Sequence, residues 1–277
     1  MRHDLITKQT LQSHILYLSS HPLTYQLINL STTQPVNYII EIATADFITT
    51  QSAVQGGADR IELCAALTEG GTTPSYGTIK KCREVFAIEL FPIVRPRGGD
   101  FLYTDEEYEI ILQDVRLCKD LGCDGVVIGM LKRDGTLPVR KTAKLIAEAY
   151  PMDVTFHRAF DRCAEPFEAM EQLIQIGCTR ILTSGQQPAA PQGIDLIANL
   201  IKAANARIVI MPGSGVRKEN IKEIAQRTGA VEFHSSLRSK QRSGMEFIHP
   251  AFEKSEESYS NAAIDVEEVK AMRSALH

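Results

Sequence analysis

Eight short runs of apolar and β-branched residues recur from Tyr38 onward, and stretches with helical spacing separate them. The predicted strands cover residues 39–43, 60–64, 89–95, 125–129, 153–157, 180–183, 207–211 and 231–234. The predicted helices cover residues 46–56, 75–86, 104–121, 138–149, 165–176, 191–204 and 218–227. Strands that alternate with helices form a parallel sheet through right-handed crossovers. Eight such units in about 200 residues predict a single-domain (β/α)8 TIM barrel.

The residues at the helix ends agree with this prediction. Thr104 precedes three acidic residues as an N-cap, and Gly122 and Gly177 stand where helices should end. The alternative is an open, doubly wound sheet, which normally carries a glycine-rich turn after its first strand. Residues 43–46 read Ala-Thr-Ala-Asp there, so the barrel is favoured.

The barrel pattern occupies residues 38–240, and the segments on either side differ from it. Residues 1–37 are rich in Ser, Thr and Gln and are interpreted as an arm with a short helix over residues 7–19. Residues 241–277 form a C-terminal extension. Apolar residues at helical spacing within residues 263–276 predict an amphipathic helix packed on the barrel or on a partner.

Charge and cysteine spacing exclude several classes of protein. The chain has 30 basic and 34 acidic residues and a formal net charge of -4, so no basic surplus favours nucleic acid or an anionic membrane. Apolar runs such as residues 208–211 are far shorter than the roughly 20 residues that cross a bilayer. The 6 cysteines form no CxxC pair, which predicts reduced thiols and a cytoplasmic protein.

Polar residues cluster where the predicted strands end, which is the face that carries the active site in such barrels. The candidate site residues are Glu41, Glu62, Cys64, Arg95, Arg97, His157, Arg158, Asp161, Ser184, Gly213, Ser214, Gly215 and His234. Buried carboxylates at Glu41 and Glu62 require cationic partners, which we expect to be Arg95, His157 and Arg158. These groups form either a structural ion-pair network or a ligand site.

As an enzyme site, this set divides into two roles. Glu41, Glu62, His157 and Asp161 are the candidate acid/base residues, because carboxylates and imidazoles transfer protons near neutral pH. The candidate ligand-binding residues are Arg95, Arg97, Arg158, Ser184, Gly213, Ser214, Gly215 and His234. The glycine-containing loop over residues 213–215 either cradles an anion or is only a tight turn. This hypothesis predicts a small phosphorylated or carboxylated metabolite as substrate.

Five segments resemble the CutC copper-homeostasis family, over roughly residues 38–240. The matching segments are residues 56–64, 70–75, 95–101, 156–161 and 182–185. The resemblance implies a cytoplasmic (β/α)8 barrel, commonly a homodimer, that binds Cu(I). In some members two cysteines have been proposed to bind copper; the second matches Cys64, whereas the first maps to about Ala43. Copper homeostasis with Cu(I) bound near Cys64 is therefore the first hypothesis, and an enzyme acting on a small anion is the alternative.

Overall fold

A computed structural model of the chain describes residues 36–252 and 259–276. The barrel strands are β1 (Ile39–Thr44), β2 (Arg60–Leu63), β3 (Glu89–Pro92), β4 (Gly125–Ile128), β5 (Asp153–Phe156), β6 (Arg180–Thr183), β7 (Val209–Pro212) and β8 (Glu232–Ser235). The helices are α1 (Phe47–Gln55), α2 (Tyr76–Val85), α3 (Asp105–Asp120), α4 (Val139–Ala149), α5 (Pro166–Gln175), α6 (Ile194–Ala204), α7 (Ile221–Thr228) and α8 (Val266–Ser274). The predicted (β/α)8 fold is confirmed, and the predicted element ends differ by at most about three residues, within the usual uncertainty of helix and strand ends.

The eight strands form two parallel four-stranded sheets, with the orders β3-β2-β1-β8 and β4-β5-β6-β7. The sheets join between β3 and β4, where Val94 N–H donates to the carbonyl of Val127 at 2.8 Å. The two sheets also meet between β7 and β8, which are neighbours. In the described ranges, however, no ladder of backbone hydrogen bonds joins these two strands. Ser235 Oγ instead donates to the carbonyl of Val216 at 2.8 Å. We call residues 213–217 and 234–236 the β7–β8 seam.

Side chains inside the barrel stack in layers, because alternate residues of each strand point inward. Four layers follow one another from the amino ends of the strands to their carboxyl ends. The first layer, the floor of the barrel, contains Arg60, Gly125, Arg180 and Glu232, and the second contains Glu41, Phe91, Thr155 and Met211. The third contains Glu62, Val127, Leu182 and His234, and the fourth contains Ala43, Ile93, His157 and Gly213. Glu41 pairs in register with Arg60, and Glu62 with Ala43. The two glutamates therefore occupy successive layers of the barrel interior.

A β-hairpin that the sequence did not predict follows the last barrel strand. Its strands are β9 (Arg238–Arg242) and β10 (Ser260–Ile264), which pair antiparallel. The expected boundary between residues 240 and 241 falls inside β9. Because residues 260–264 are a strand, the C-terminal helix begins at Val266 rather than at 263.

Helix α8 packs on the outside of the barrel against α1 and completes the ring of helices. A Cβ atom added to Gly56 would lie 2.4 Å from the Cβ atom of Val269, so the two helices approach closely. The Arg273 guanidinium donates to the carbonyl of Gly57 at 2.9 and 3.0 Å, and Lys218 pairs with Glu268 at 2.6 Å.

The predicted arm over residues 1–37, with its short helix at 7–19, lies outside the described residues except for residues 36 and 37. Across the described ranges, no helix combines the length and the apolar character that spanning a bilayer requires.

Candidate active site

A cavity of about 280 Å³ opens at the carboxyl ends of the barrel strands, and we call it the mouth. Eight of the predicted site residues line it, namely Glu62, Arg95, His157, Arg158, Asp161, Ser214, Gly215 and His234. The other five, Glu41, Cys64, Arg97, Ser184 and Gly213, do not line it. The barrel therefore brings together residues from β2, β3, β5, β7 and β8 that are far apart in the sequence.

Glu41 lies beneath the mouth and is fully buried. One carboxylate oxygen, Oε1, lies 2.7 Å from His234 Nδ1, and the other accepts a hydrogen bond from Arg60 Nε at 2.6 Å. Burial alone would raise the pKa of Glu41, but the Arg60 charge and the His234 hydrogen bond lower it to about 2. The prediction that Arg95, His157 and Arg158 are the cationic partners of Glu41 is wrong. Arg60 pairs with the Glu41 carboxylate instead.

The floor of the barrel continues this ion-pair network below Glu41. Arg60 also pairs with Glu232, and Glu232 accepts a hydrogen bond from Arg180 Nε at 2.6 Å. The Arg60 and Arg180 guanidinium carbons lie 5.1 and 5.5 Å from the Phe91 ring centroid. The alternating charges compensate one another among side chains that are mostly buried, so this network holds Glu41 ionised and in place.

Glu62 and His234 form the pair that faces the mouth. Glu62 Oε2 lies 3.7 Å from His234 Nε2. Burial raises the pKa of Glu62 despite the charge on His234, and the neighbouring Glu41 charge adds to the increase. Burial opposes the charged form of His234, but Glu62 and Glu41 outweigh it and raise the His234 pKa. With Glu41 fixing the ring, the Glu62–His234 pair is suited to proton transfer.

His157 differs chemically from His234. Its Nδ1 accepts a hydrogen bond from the Ala159 N–H at 3.0 Å, which assigns the proton to Nε2. Burial and the Arg95 charge lower the His157 pKa to about 3, so the ring is neutral at physiological pH. Nε2 has no hydrogen-bond partner among the described residues. This geometry supports a hydrogen-bond donor to a ligand rather than the expected general acid or base.

Arg95 and Arg97 have different surroundings despite their similar positions after β3. Arg95 donates to the carbonyls of Glu69, Gly71 and Gly99 at 2.8–2.9 Å and therefore ties two mouth loops together. Arg97 turns away from the mouth and pairs with Glu107. Of these two arginines, only Arg95 is therefore placed to contact a ligand in the mouth.

Asp161 is saturated by hydrogen bonds from the loops after β5 and β6. Its carboxylate accepts from Ser184 N–H at 2.9 Å, Gln186 N–H at 3.1 Å and Arg158 Nε at 2.8 Å, and also from Thr183 Oγ1. Ser184 Oγ in turn accepts from Arg158 Nη2 at 2.8 Å. These contacts position Arg158 at the mouth and leave Asp161 poorly suited to proton transfer.

The loop after β7 shapes the seam side of the mouth. A Cβ atom on Gly213 would lie 2.3 Å from Leu182 Cδ1 and 3.2 Å from His234 Cβ, so a larger residue here would have to displace the Leu182 side chain. Ser214 and Gly215 follow it with φ values of 73° and 72° and line the mouth. Both therefore adopt the left-handed conformation, which is uncommon for serine.

Three arginines that line the mouth were missed by the sequence analysis: Arg162, Arg217 and Arg238. Arg162 directly follows the predicted site residue Asp161, Arg217 lies two residues beyond Gly215, and Arg238 lies four residues beyond His234. With Arg95 and Arg158, they make five arginines against the three acids Glu62, Glu69 and Asp161. Among the described residues, Arg158 alone of the five forms an ion pair. The mouth therefore carries a positive surplus that favours an anionic ligand.

Cys64 does not fit the Cu(I) site that the sequence suggested. Its thiol lies 3.4 Å from Glu62 Oε2 and packs with Phe91, Ile93 and Val127. Burial and the Glu62 charge raise the pKa of Cys64 well above its ordinary value, whereas copper binding requires a thiolate and usually further soft donors. In the described ranges, no group of three or more His, Cys, Asp or Glu residues is arranged to hold a metal ion.

Comparisons with known proteins agree on one family. The family model described as "CutC family" matches residues 38–239. A relative from Parabacteroides distasonis, named as a family protein CutC, is 54% identical over 210 residues, or 76% of this chain and 86% of that protein. The human "Copper homeostasis protein cutC homolog" is 45% identical over 210 residues, or 76% of this chain and 77% of that protein. The crystal structure of CutC from Streptococcus agalactiae has a TM-score of 0.69 at 32% identity and covers 72% of this chain and 98% of that one.

Proposed function

This chain belongs to the CutC family, and we propose that it acts in copper homeostasis by binding a small anionic metabolite at the barrel mouth. The name of the human relative supports the link to copper. The poor fit of Cys64 to Cu(I) supports a role that does not depend on copper held at that residue. A copper-tolerance assay with a deletion strain, complemented by wild type or by Glu62→Gln, tests this link. Complementation by both forms would separate the copper role from proton transfer by Glu62.

The arginine surplus of the mouth is the observation that carries the anionic ligand. The five arginines project into a cavity of about 280 Å³, so the ligand they suit is small. Arg95 is held by carbonyl groups, and Arg217 Nη1 donates to Ser235 Oγ at 3.2 Å, so their charges remain uncompensated. An anion entering the mouth would compensate these charges.

Proton transfer is the reaction that this arrangement supports best. Glu62 is a carboxyl group whose pKa is raised by burial, and it faces an imidazole ring oriented by Glu41. His157 offers a neutral N–H donor that would stabilise a developing oxyanion on the ligand. A base with a raised pKa beside a neutral imidazole donor is an arrangement used for proton abstraction next to a carbonyl group.

Isothermal titration calorimetry with a panel of small anionic metabolites and their neutral analogues tests the ligand class. We expect anions to bind the wild-type chain and neutral analogues to bind weakly, with affinities that fall as salt rises. Glu62→Gln is expected to retain binding and lose turnover. Binding of neutral compounds alone would contradict the proposal.

A parallel titration with Cu(I) under reducing conditions tests the alternative in which copper is the ligand. We expect Cys64→Ser to leave any Cu(I) binding unchanged, because the thiol is protonated and surrounded by apolar side chains. Stoichiometric binding that is lost in Cys64→Ser would favour the copper site over the anion site.

We also propose a cytoplasmic location and a homodimer, both on the resemblance to the family. All six cysteines are buried and free, which is compatible with a reducing compartment. Size-exclusion chromatography with light scattering tests the dimer: a mass near 61 kDa, about twice the 30.7 kDa of the chain, is expected.

A further inference from the structure

We infer that the β7–β8 seam holds a phosphate group, so that the ligand of the mouth is a phosphate monoester. This inference rests on the proposed function and adds the position and chemistry of one part of the ligand. Other clusters, including the Arg60 network, are already compensated by ion pairs.

Two arginines with fixed positions lie at the seam: Arg217 belongs to it, and Arg158 lies beside it. Arg217 lines the mouth, and its Nη1 donates to Ser235 Oγ at 3.2 Å, while no other atom of its guanidinium is hydrogen-bonded within the described residues. Arg158 is held by Asp161 and Ser184, as described above. The Arg217 guanidinium is anchored by one contact and that of Arg158 by several, and each keeps further donors free. Both can therefore bind an oxyanion with little loss of side-chain entropy.

The loop after β6 links Arg158 to the seam. Arg158 Nη2 lies 3.4 Å from the carbonyl of Gln187, and Ser214 Oγ donates to the carbonyl of the next residue, Pro188, at 3.0 Å. Arg158 and Ser214 therefore contact successive carbonyls of one short segment. This contact brings the two sides of the proposed phosphate site together.

Backbone donors add to the arginines. The N–H groups of Ser214 and Gly215 make no hydrogen bond within the described part of the chain. Both residues are in the left-handed conformation, with φ values of 73° and 72°. Two guanidinium groups and adjacent free amides provide enough donors for the three oxygens of a phosphate monoester, whereas a carboxylate has only two oxygens.

The seam lies beside the residues proposed for proton transfer. Gly213 approaches His234 so closely that an added Cβ atom would lie 3.2 Å from His234 Cβ. His234 in turn faces Glu62 at 3.7 Å. A phosphate bound at the seam would hold the carbon atoms of the ligand near Glu62, and His157 lines the same cavity.

The test is calorimetric titration of the full chain with inorganic phosphate, glycerol 3-phosphate, malonate and glycerol. We expect both phosphate compounds to bind more tightly than malonate, and glycerol not to bind. Arg217→Gln should weaken phosphate binding about ten- to hundredfold, which is the usual effect of losing a charged hydrogen bond. Arg227→Gln is the matched control, because Arg227 lies on α7 with its own partner Glu223 at 3.1 Å. Phosphate binding by this control should be unchanged.

Ser236→Asp is a second variant, since it places a negative charge beside the site without removing Arg217. It should weaken phosphate binding at least as much, and thermal unfolding will show that both variants remain folded. Phosphate binding that is equal in wild type, Arg217→Gln and Ser236→Asp would overturn the phosphate site. Binding of malonate without phosphate would also overturn it while leaving the anionic-ligand proposal intact. Failure of every anion to bind would overturn both.

Discussion

Replacing Arg60 by methionine removes the main cation that compensates the buried carboxylate of Glu41. Arg60 is 2% exposed and donates to Glu41 Oε2 at 2.6 Å, and methionine fills a similar volume without charge. Glu41 would then keep His234 as its remaining hydrogen-bond partner. We expect a folded but much less stable barrel, because a buried charge is left without most of its compensation.

The magnitude follows from the pKa of Glu41. The native environment lowers this pKa from 4.5 to about 2. At about 1.4 kcal/mol per pKa unit, the ionised carboxylate gains about 3 kcal/mol of stability at neutral pH. Removal of one partner of a buried ion pair costs about 3–5 kcal/mol in other proteins, which agrees with this value. The predicted loss for Arg60→Met is therefore about 3–5 kcal/mol at pH 7.

Urea unfolding of wild type and Arg60→Met at several pH values measures this loss. In the wild type, the stability contributed by Glu41 is present above pH 4.5 and is lost as the pH falls towards about 2. In the variant, burial raises the Glu41 pKa, so protonation at lower pH relieves the uncompensated charge. The stability difference between the two proteins should therefore shrink as the pH falls from 7 to 4.

Two controls separate this reasoning from a general effect of losing arginine. Arg207→Met removes an ion pair with Glu171 in which both side chains are 43% exposed, and it should cost less than about 1 kcal/mol. Combining Arg60→Met with Glu41→Gln should cost less than the sum of the two single changes, because neither charge is then left alone. A loss below about 1 kcal/mol for Arg60→Met, or one independent of pH, would refute the role of Arg60.

Three further predictions concern single groups. His157 should remain neutral with its proton on Nε2 from pH 5 to 8 in ¹⁵N NMR, since its pKa is about 3; titration near pH 6.5 would contradict this. The six buried thiols should react slowly with iodoacetamide in the folded chain and fully in urea, and rapid labelling of Cys64 in the folded state would contradict its burial. Gly125→Ala should destabilise the barrel by about 1–3 kcal/mol in chemical unfolding, because the new Cβ would lie 2.1 Å from Phe91 Cε1; unchanged stability would show that Phe91 can move freely.

The barrel strands were predictable because short runs rich in apolar or β-branched residues alternate regularly with stretches of helical spacing. The β9–β10 hairpin was not predictable in this way. Its sequences, Arg-Ser-Lys-Gln-Arg and Ser-Asn-Ala-Ala-Ile, lack apolar alternation, and β9 is exposed along its whole length. The hairpin pairs through its backbone, which leaves little pattern in the side chains.

The partner of Glu41 could not be read from the sequence for a geometric reason. Arg60 stands at the start of β2, whereas the cations expected beside Glu41 all stand at or beyond strand ends. The stagger between neighbouring strands places Arg60 in register with Glu41, and this stagger is a property of the closed barrel rather than of any segment. The need for a buried cation was predictable, but its position was not.

The role of His157 illustrates the same limit. Its position at the end of β5 was predictable, and it does line the mouth. Its neutral state depends on burial beside Arg95 and on the Ala159 N–H, which only the folded loop supplies. Residue type alone suggested an acid or base, whereas the surroundings support a fixed donor.

A crystal soaked in selenate tests the central claim that the mouth binds a small anion, because selenium can be located by its anomalous scattering. The crystals should be grown without sulfate or phosphate. We predict an anomalous peak within the mouth, in hydrogen-bond contact with at least one of its five arginines. Peaks confined to the outer surface, with the mouth accessible to solvent in the crystal, would contradict the claim.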